Sequence, residues 1–368
     1  MTTEWPEKPA GKPRVLVDAT GLGTLGSEVD SDLIELLKAA GRLKDDLVVV
    51  CRPRDAKLFK SFELDVHRAP ERVRSERSRR LWINWGLPKL AKAVGATVIH
   101  SPHGVFPVFT RMGRVVAVRW GSDAANRPRR VLPLRKVDVA VPSTAIADQL
   151  RALSGLPANR VHVTPLGVDR ERTAIPGWEA VESVGDLYGV AEWISVLAVD
   201  TIPDVVAAFR DGFRQATEFS GTRPTLIVLG MSEPVAVAHF AKLVDAGFDV
   251  RIVSELDDSE RCAILGGAHL TVVLDDSDQT GRALVDAMAC GASIVARQSQ
   301  TLTEIGGDAI EFADATPAAV EIAITGLLKD ADRRRELATA AVTRSHRYSW
   351  DESLATHRAA WARAASRG

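Results

Sequence analysis

The chain has 368 residues, 46% of them hydrophobic and 26% charged, with a formal net charge of −1. That balance belongs to a soluble globular protein with apolar material for two cores of about 150 to 200 residues each, and it excludes an extended disordered chain. No uncharged apolar run approaches the roughly 18 residues of a membrane-spanning helix, and near-zero net charge without a basic-aromatic module removes nucleic acid from the expected partners.

Residues 1–13 combine charge with prolines and read as a loose tail rather than a leader, which places the protein in the cytoplasm, at most touching a membrane face. From residue 14 short valine-rich runs alternate with helical patterns: "PRVLVDAT", "DDLVVVC", "ATVIHSP", "RVVAVRW", "VDVAVPS" and "RVHVTPLG". Near-continuous apolar strands separated by helices predict a parallel sheet covered on both faces, here a first domain over 14–175. After its first strand Gly21, Gly23 and Gly26 fit G-x-G-x-x-G, where backbone amides can approach a phosphate. A tight turn needing positive φ explains the same glycines. As a dinucleotide fingerprint the loop lacks its acidic partner, because the second strand ends in Cys51 and Arg52. Arg52 or Arg54 would suit only a 2′-phosphate, which keeps an NADP-binding protein as a remote alternative.

"RAPERVRSERSRRLW" predicts a basic helix, followed by Trp82 and Trp85. It rests on anionic lipid, holds an acceptor phosphate, or is a solvated face over buried tryptophans. His100 and His103 in "VIHSPHG" stand at a strand's carboxyl end, the edge where open α/β sheets bind ligands, with a structural role as the alternative. Residues 176–192 are punctuated by proline and glycine and read as a linker. The strand series then resumes with "WISVLAV", "PTLIVLG", "FDVRIVS", "LTVVLDD" and "ASIVARQ", a second doubly wound domain over 193–345. Charge divides between the halves, with 30 basic against 19 acidic residues up to position 175 and 17 against 29 beyond it. The basic half favours an anionic partner, such as a phosphate-bearing acceptor or an acidic lipid surface.

In "DSDQTGRALVDAMACGASIVA", residues 276–296, Asp278 and Asp286 bracket seven residues across a threonine-glycine turn. With a helix starting near Gly281, the amides of Thr280, Gly281 and Arg282 face an anionic group while the carboxylates hold sugar hydroxyls. Phosphate and sugar in one site make a nucleotide-sugar. Cys51, Cys262 and Cys290 lack any paired spacing, so buried thiols are expected, with neither a disulfide framework nor a metal set. Over 346–368 the text "WDESLATHRAAWARAAS" is an amphipathic helix with Asp351 near its start, crossing back to brace the first domain or simply packed.

"DQTGRALVDAMACGASIVARQSQTLTEIGGDAIEF" resembles the donor-site segment of the retaining family 4 glycosyltransferases of the two-domain GT-B type, with "AMACG" in common and the two family glutamates falling on Asp278 and Asp286. "VAVPSTAIADQL", "VHVTPLGVD" and "GLLKDADRRRELATAAVTRSHRYSW" resemble other segments of the same family, and "RRLWINWGLPKLAKAVGATVIHSPHGVFP" is similar to the acceptor domain of members working on glycans or lipids. The resemblance implies an α/β fold of GT-B type, two Rossmann-like doubly wound parallel-sheet domains facing across a cleft. It implies transfer of a hexose from a nucleotide-sugar donor to a hydroxyl acceptor with retained configuration, the donor phosphate helping to deprotonate the acceptor, without metal or other cofactor. Asp278 then takes the catalytic place at the donor-sugar hydroxyls and Asp286 the ribose. Thr280, Gly281 and Arg282 complete the donor site, to which the glycine loop adds Gly21 and Gly23, and His100, His103 and Arg119 face the acceptor or the cleft.

This sequence departs from the family pattern in several places. Both acids are one methylene shorter than the family's, and Gln279 stands where a glycine is usual. The family's arginine and lysine are missing from "VAEWISVLAVDTIPDVVAAF", where Asp200 and Asp204 stand, leaving Arg282 or Arg297 to substitute. Arg119 and Trp120 replace a histidine-aspartate pair. These departures sustain a second reading, a family relative that has lost catalysis and acts as a binding or partner subunit.

Overall fold

The computed structural model describes residues 12–23, 27–73, 75–118, 137–170, 172–197, 203–220, 224–230, 233–253, 256–274 and 280–368. The first domain runs β1 (Val15–Asp18), α1 (Ser27–Arg42), β2 (Leu47–Cys51), α2 (Ala56–Lys60), β3 (Asp65–Arg68), α3 (Glu76–Ala93), β4 (Val98–Ser101), β5 (Gly113–Ala117), β6 (Asp138–Val141), α4 (Thr144–Ser154) and β7 (Val161–Val163). Its seven strands lie in the order β3-β2-β1-β4-β5-β6-β7, and every neighbouring pair is parallel. Strands β1, β2, β4 and β6 bury every side chain, which is why the sequence reads as valine runs rather than alternation.

Next come α5 (Trp178–Tyr188), β8 (Trp193–Leu197), α6 (Pro203–Ser220), β9 (Thr225–Leu229), α7 (Glu233–Asp245), β10 (Val250–Val253), α8 (Asp258–Gly267) and β11 (Leu270–Val273). The chain continues through α9 (Arg282–Ala289), β12 (Ile294–Arg297), α10 (Gln300–Gly306), β13 (Glu311–Ala313), α11 (Pro317–Lys329), α12 (Ala331–Ser345) and α13 (Trp350–Ala365). The second sheet is also fully parallel, in the order β10-β9-β8-β11-β12-β13. Each sheet therefore reverses its winding once, between β1 and β4 and between β8 and β11, and those switch points open crevices at the strands' carboxyl ends.

The stretch 176–192 is more than a linker. Its proline and glycine flank α5, which Gly177 and Gly189 bound and whose Val184 enters the second core beside Trp193. The last helix, α13, lies on the first sheet: Trp350, Leu354, Ala360, Trp361 and Ala364 join the core of β1, β2 and α1. Arg358 reaches Asp45 at 2.7 Å, and Arg42 and Arg367 pair with Asp351 and Asp138. Between the domains, the Glu304 carboxylate accepts from the backbone N–H groups of Thr144 and Ala145 at 3.0 and 3.1 Å, capping α4 from α10 with a negative charge on its amino end. Among the described residues no helix is long and apolar enough to cross a membrane.

Candidate functional site

At the carboxyl ends of β8, β9 and β10 lies a cavity of about 330 Å³. Its floor is apolar, with Leu197, Leu229 and Val253 ending the three strands and Leu256 beside them. Its rim is charged, because α8 and α9 start there and α1 of the first domain closes the opposite side. Asp286 is 4% exposed, and its Oδ2 lies 3.3 Å from Arg261 Nη1 and 3.6 Å from Arg282 Nε. Arg282 also pairs with Asp32 on α1, so one guanidinium joins the two domains. Arg172 does the same a turn away: it donates through Nε to Asp258 at 2.6 Å, and its Nη1 stands 3.8 Å from Glu35. Lys38 completes the row on α1, 3.1 Å from Asp169. Asp32, Glu35 and Lys38 repeat at i+3, the spacing that lines up one helical face toward the second domain. Burial and the neighbouring Asp169 raise the Glu35 carboxyl above its ordinary value.

Gly281 caps α9 at φ 61°, and a Cβ there would sit 2.1 Å from Ile305 Cδ1, so any other residue would be strained and would push the isoleucine aside. Thr280 Oγ1 accepts from the Arg282 amide at 3.4 Å. Gly281, Arg282 and Asp286 are thus gathered at the second switch point with Thr280 beside them. Asp278 and Arg119 lie outside the described residues, as do Asp200 and the side chain of Asp204. Sequence reasoning missed Arg172 and Arg261. The cavity's arginines come from the chain before α5, from α8 and from α9, and no motif marks the first two.

The first switch point is built differently from expectation. Arg79, 2% exposed, donates through Nε to Thr20 Oγ1 at 3.1 Å, and its Nη2 lies 3.4 Å from the buried Asp18 carboxylate. His103 Nε2 is 3.0 Å from Asp30 Oδ1, and Asp30 Oδ2 accepts from the Gly23 amide at 2.7 Å. A Cβ on Gly21 would stand 2.6 Å from the His103 ring and 2.7 Å from Arg79. Gly23 lies at φ 79°, the positive value the turn reading needs, whereas Gly21 is held by the close approach of His103 and Arg79.

His100 was expected at the cleft, yet it is 1% exposed beneath α13, with its ring edge-on to His357 at 5.5 Å and Trp361 at 5.7 Å. Burial in an apolar setting pushes its pKa well below the ordinary histidine value and also lowers that of His103, where Asp30 opposes the effect. Unfolding restores an ordinary imidazole of pKa ~6.5, so below that pH the unfolded chain binds protons the folded chain does not, and stability falls as pH falls. Above ~6.5 both forms are neutral and this contribution is flat. Thermal melts of wild type and His100→Phe from neutral to mildly acidic pH should converge as pH drops, since the variant lacks one titrating group; parallel curves would remove His100 from the linkage.

The three cysteines are free and buried, as expected, but two of them are neighbours in space. Cys262 on α8 and Cys290 at the end of α9 meet, with their Sγ atoms 3.0 Å apart. The hydrogen bond from Cys290 draws the Cys262 thiol down to about 7, and Cys290 is pushed up by that bond and by burial. Among the described residues no group of histidine, cysteine and carboxylate side chains could hold a metal ion.

Two parallel-sheet domains, each with a crevice at its switch point and with one chain-terminal helix returning to the first sheet, have the architecture of the GT-B glycosyltransferases. The glycosyltransferase of Rickettsia africae superposes over 95% of this chain and 98% of its own with a TM-score of 0.74 at 11% identity. Anabaena HepE in complex with UDP and glucose does so over 93% and 98%, with a TM-score of 0.64 at 14% identity. Within that class residues 32–172 match the model of Glycosyltransferase Family 4. D-inositol 3-phosphate glycosyltransferase 2 of Catenulispora acidiphila is 28% identical over 306 residues, covering 74% of this chain and 67% of that protein. The chain thus has the GT-B fold, and its similarity to family 4 lies in residues 32–172.

Proposed function

We propose that the protein transfers a hexose from a nucleotide-sugar to a hydroxyl group with retention of anomeric configuration. The observation that carries this reading is the convergence of Arg172, Arg261, Arg282 and Asp286 on the cavity over β8–β10. Its volume of about 330 Å³ is within the range of small-molecule sites, and an apolar floor with a charged rim suits a flat base and a diphosphate respectively. Each guanidinium carries five N–H donors, more than one carboxylate contact engages, so a diphosphate can be bound beside or in place of the present partners. That supplies the positive field that the segment after β8 lacks.

In the reaction, the bond from the anomeric carbon to the donor phosphate breaks and a bond to the acceptor oxygen forms on the same face. The acceptor proton passes to the departing phosphate oxygen, and the nucleoside diphosphate leaves. The family pattern gives Asp278 the donor-sugar hydroxyls and Asp286 the ribose, and Arg261 and Arg282 stabilise the leaving group. A phosphorylated polyol is the favoured acceptor, supported by the basic balance of residues 1–175 and by the name of the Catenulispora acidiphila relative.

A second reading has its own observation: Arg282 is already closed onto Asp32 and Asp286, as in a site that holds its shape without turnover. Calorimetry with UDP-, GDP- and ADP-sugars, followed by chromatography of released nucleotide with inositol phosphate present, separates the two. Transfer predicts saturable binding of one donor, release of its nucleoside diphosphate, and a product of retained configuration by NMR. Binding without release favours the non-catalytic reading, and failure of every donor to bind overturns both.

A further inference from the structure

We propose that one face of α3, together with the loop after β4, docks on an anionic lipid surface. Leu81 and Trp85 on α3 are 66% and 62% exposed, and Val108 and Phe109 in the loop are 52% and 70% exposed. Side chains of this size are rarely left so open in one cluster, and a contiguous apolar patch on a soluble protein marks a site of interaction. The cluster is ordered by its own contacts. The Trp85 and Phe109 rings stack at 5.7 Å and 23°, the Val108 amide donates to Asn84 Oδ1 at 3.0 Å, and Arg114 Nη1 donates to the Pro107 carbonyl at 3.1 Å.

At 3.6 residues per turn Arg77, Leu81, Trp85 and Lys92 share one quadrant of α3, with Lys89 at its border, while the buried Arg79, Ile83 and Leu87 point the other way. Arg77, Lys89, Lys92 and Arg111 are all exposed around the rings. The helix has a single acid, Glu76, and that one is held by Arg80 at 3.0 Å and Arg79 at 3.6 Å. The face is therefore aromatic in the middle and positive at both ends.

An anionic bilayer matches both features at once, since amphipathic rings seat among headgroups while lysine and arginine remain at the charged boundary. A nucleic acid would leave the aliphatic part unused, and an acidic protein would require a complementary apolar ridge. Arg79, in the first turn of α3, is bonded to Thr20 next to β1, so the stripe begins at the carboxyl edge of the first sheet and brings a membrane beside the cleft.

The test is sedimentation of the full chain with phosphatidylcholine vesicles with and without phosphatidylglycerol, across a range of salt. Binding is expected only to the anionic vesicles. Each surface cation near such a membrane contributes about a fivefold change in partitioning, so Lys89→Gln with Lys92→Gln should weaken binding by roughly 25-fold. Trp85→Ser with Phe109→Ser should remove the part that survives high salt. All four side chains are exposed, so thermal melts should match wild type. No binding to anionic vesicles, or binding unchanged in both double variants, overturns the proposal. Equal binding to heparin, lost with the lysines but not with the rings, reassigns the face to simple polyanions. A dimer that dissociates on Trp85→Ser reassigns it to a second copy of the chain.

Discussion

Arg282→Ala should lower the turnover of the nucleotide-sugar by about 100- to 1,000-fold, the usual loss when one pre-placed electrostatic stabiliser is removed. The reason lies in where the charge sits. In the proposed reaction, diphosphate departure builds negative charge at the amino end of α9, where the Arg282 guanidinium, 20% exposed, is poorly screened by water. The same change releases the side chains of Asp32 and Asp286, which are 3% and 5% exposed, so two nearly buried carboxylates lose a partner. Breaking one buried pair costs about 3 to 5 kcal/mol of stability when nothing replaces it. Arg261→Ala breaks one ion pair among the described residues, that with Asp286, and is the cleaner probe, with the same direction in turnover and a smaller change in melting temperature. Arg282→Lys keeps the charge but not the fork that reaches two partners, and should fall between wild type and alanine. Rates of nucleoside diphosphate release, read beside melts of all three variants, decide the matter: turnover retained in both alanine variants would remove these arginines from leaving-group stabilisation.

The sheets were legible in the sequence because a parallel strand buried on both faces has no choice but a continuous apolar run, and "VLVD", "LVVVC" and "TLIVL" became β1, β2 and β9. The turn at Gly281 was legible for a similar reason, since a tight left-handed entry into a helix beside a packed isoleucine favours glycine. Of the ionic rim only Arg282 was legible, from its place at the threonine-glycine turn. Arg172 and Arg261 come from two other segments, and nothing local distinguishes a guanidinium aimed at a cavity from one in solvent. The histidines left two readings open for a related reason: a position at a strand's carboxyl end says which edge a residue occupies, but not whether another element covers it. In this chain α13 covers His100, and the glycine loop closes around His103. The meeting of Cys262 and Cys290 follows from α8 packing beside α9, a fact of topology invisible to sequence spacing.

The covering helix leads to the second large effect, because α13 belongs energetically to the domain at the other end of the chain. Trp361 is 2% exposed, packed with His100 and His357 and within the core that β1, β2 and α1 share. Trp361→Ala should cost about 3 to 5 kcal/mol, the range for a large aromatic deleted from a close-packed core, or roughly 10 °C in melting temperature for a domain of this size. The indole Nε1 is buried and has no hydrogen-bond partner among the described residues. Trp361→Phe therefore abolishes no bond and removes an unsatisfied donor, so it should cost only ~1 to 2 kcal/mol despite its smaller volume. Urea unfolding followed by circular dichroism measures both. Hydrogen exchange adds the location: in Trp361→Ala the amides of β5 and α13 should lose protection together, since α13 packs directly on that strand. Exchange confined to α13, with β5 still protected and a cost under about 1 kcal/mol, would show that the first domain stands without its C-terminal brace.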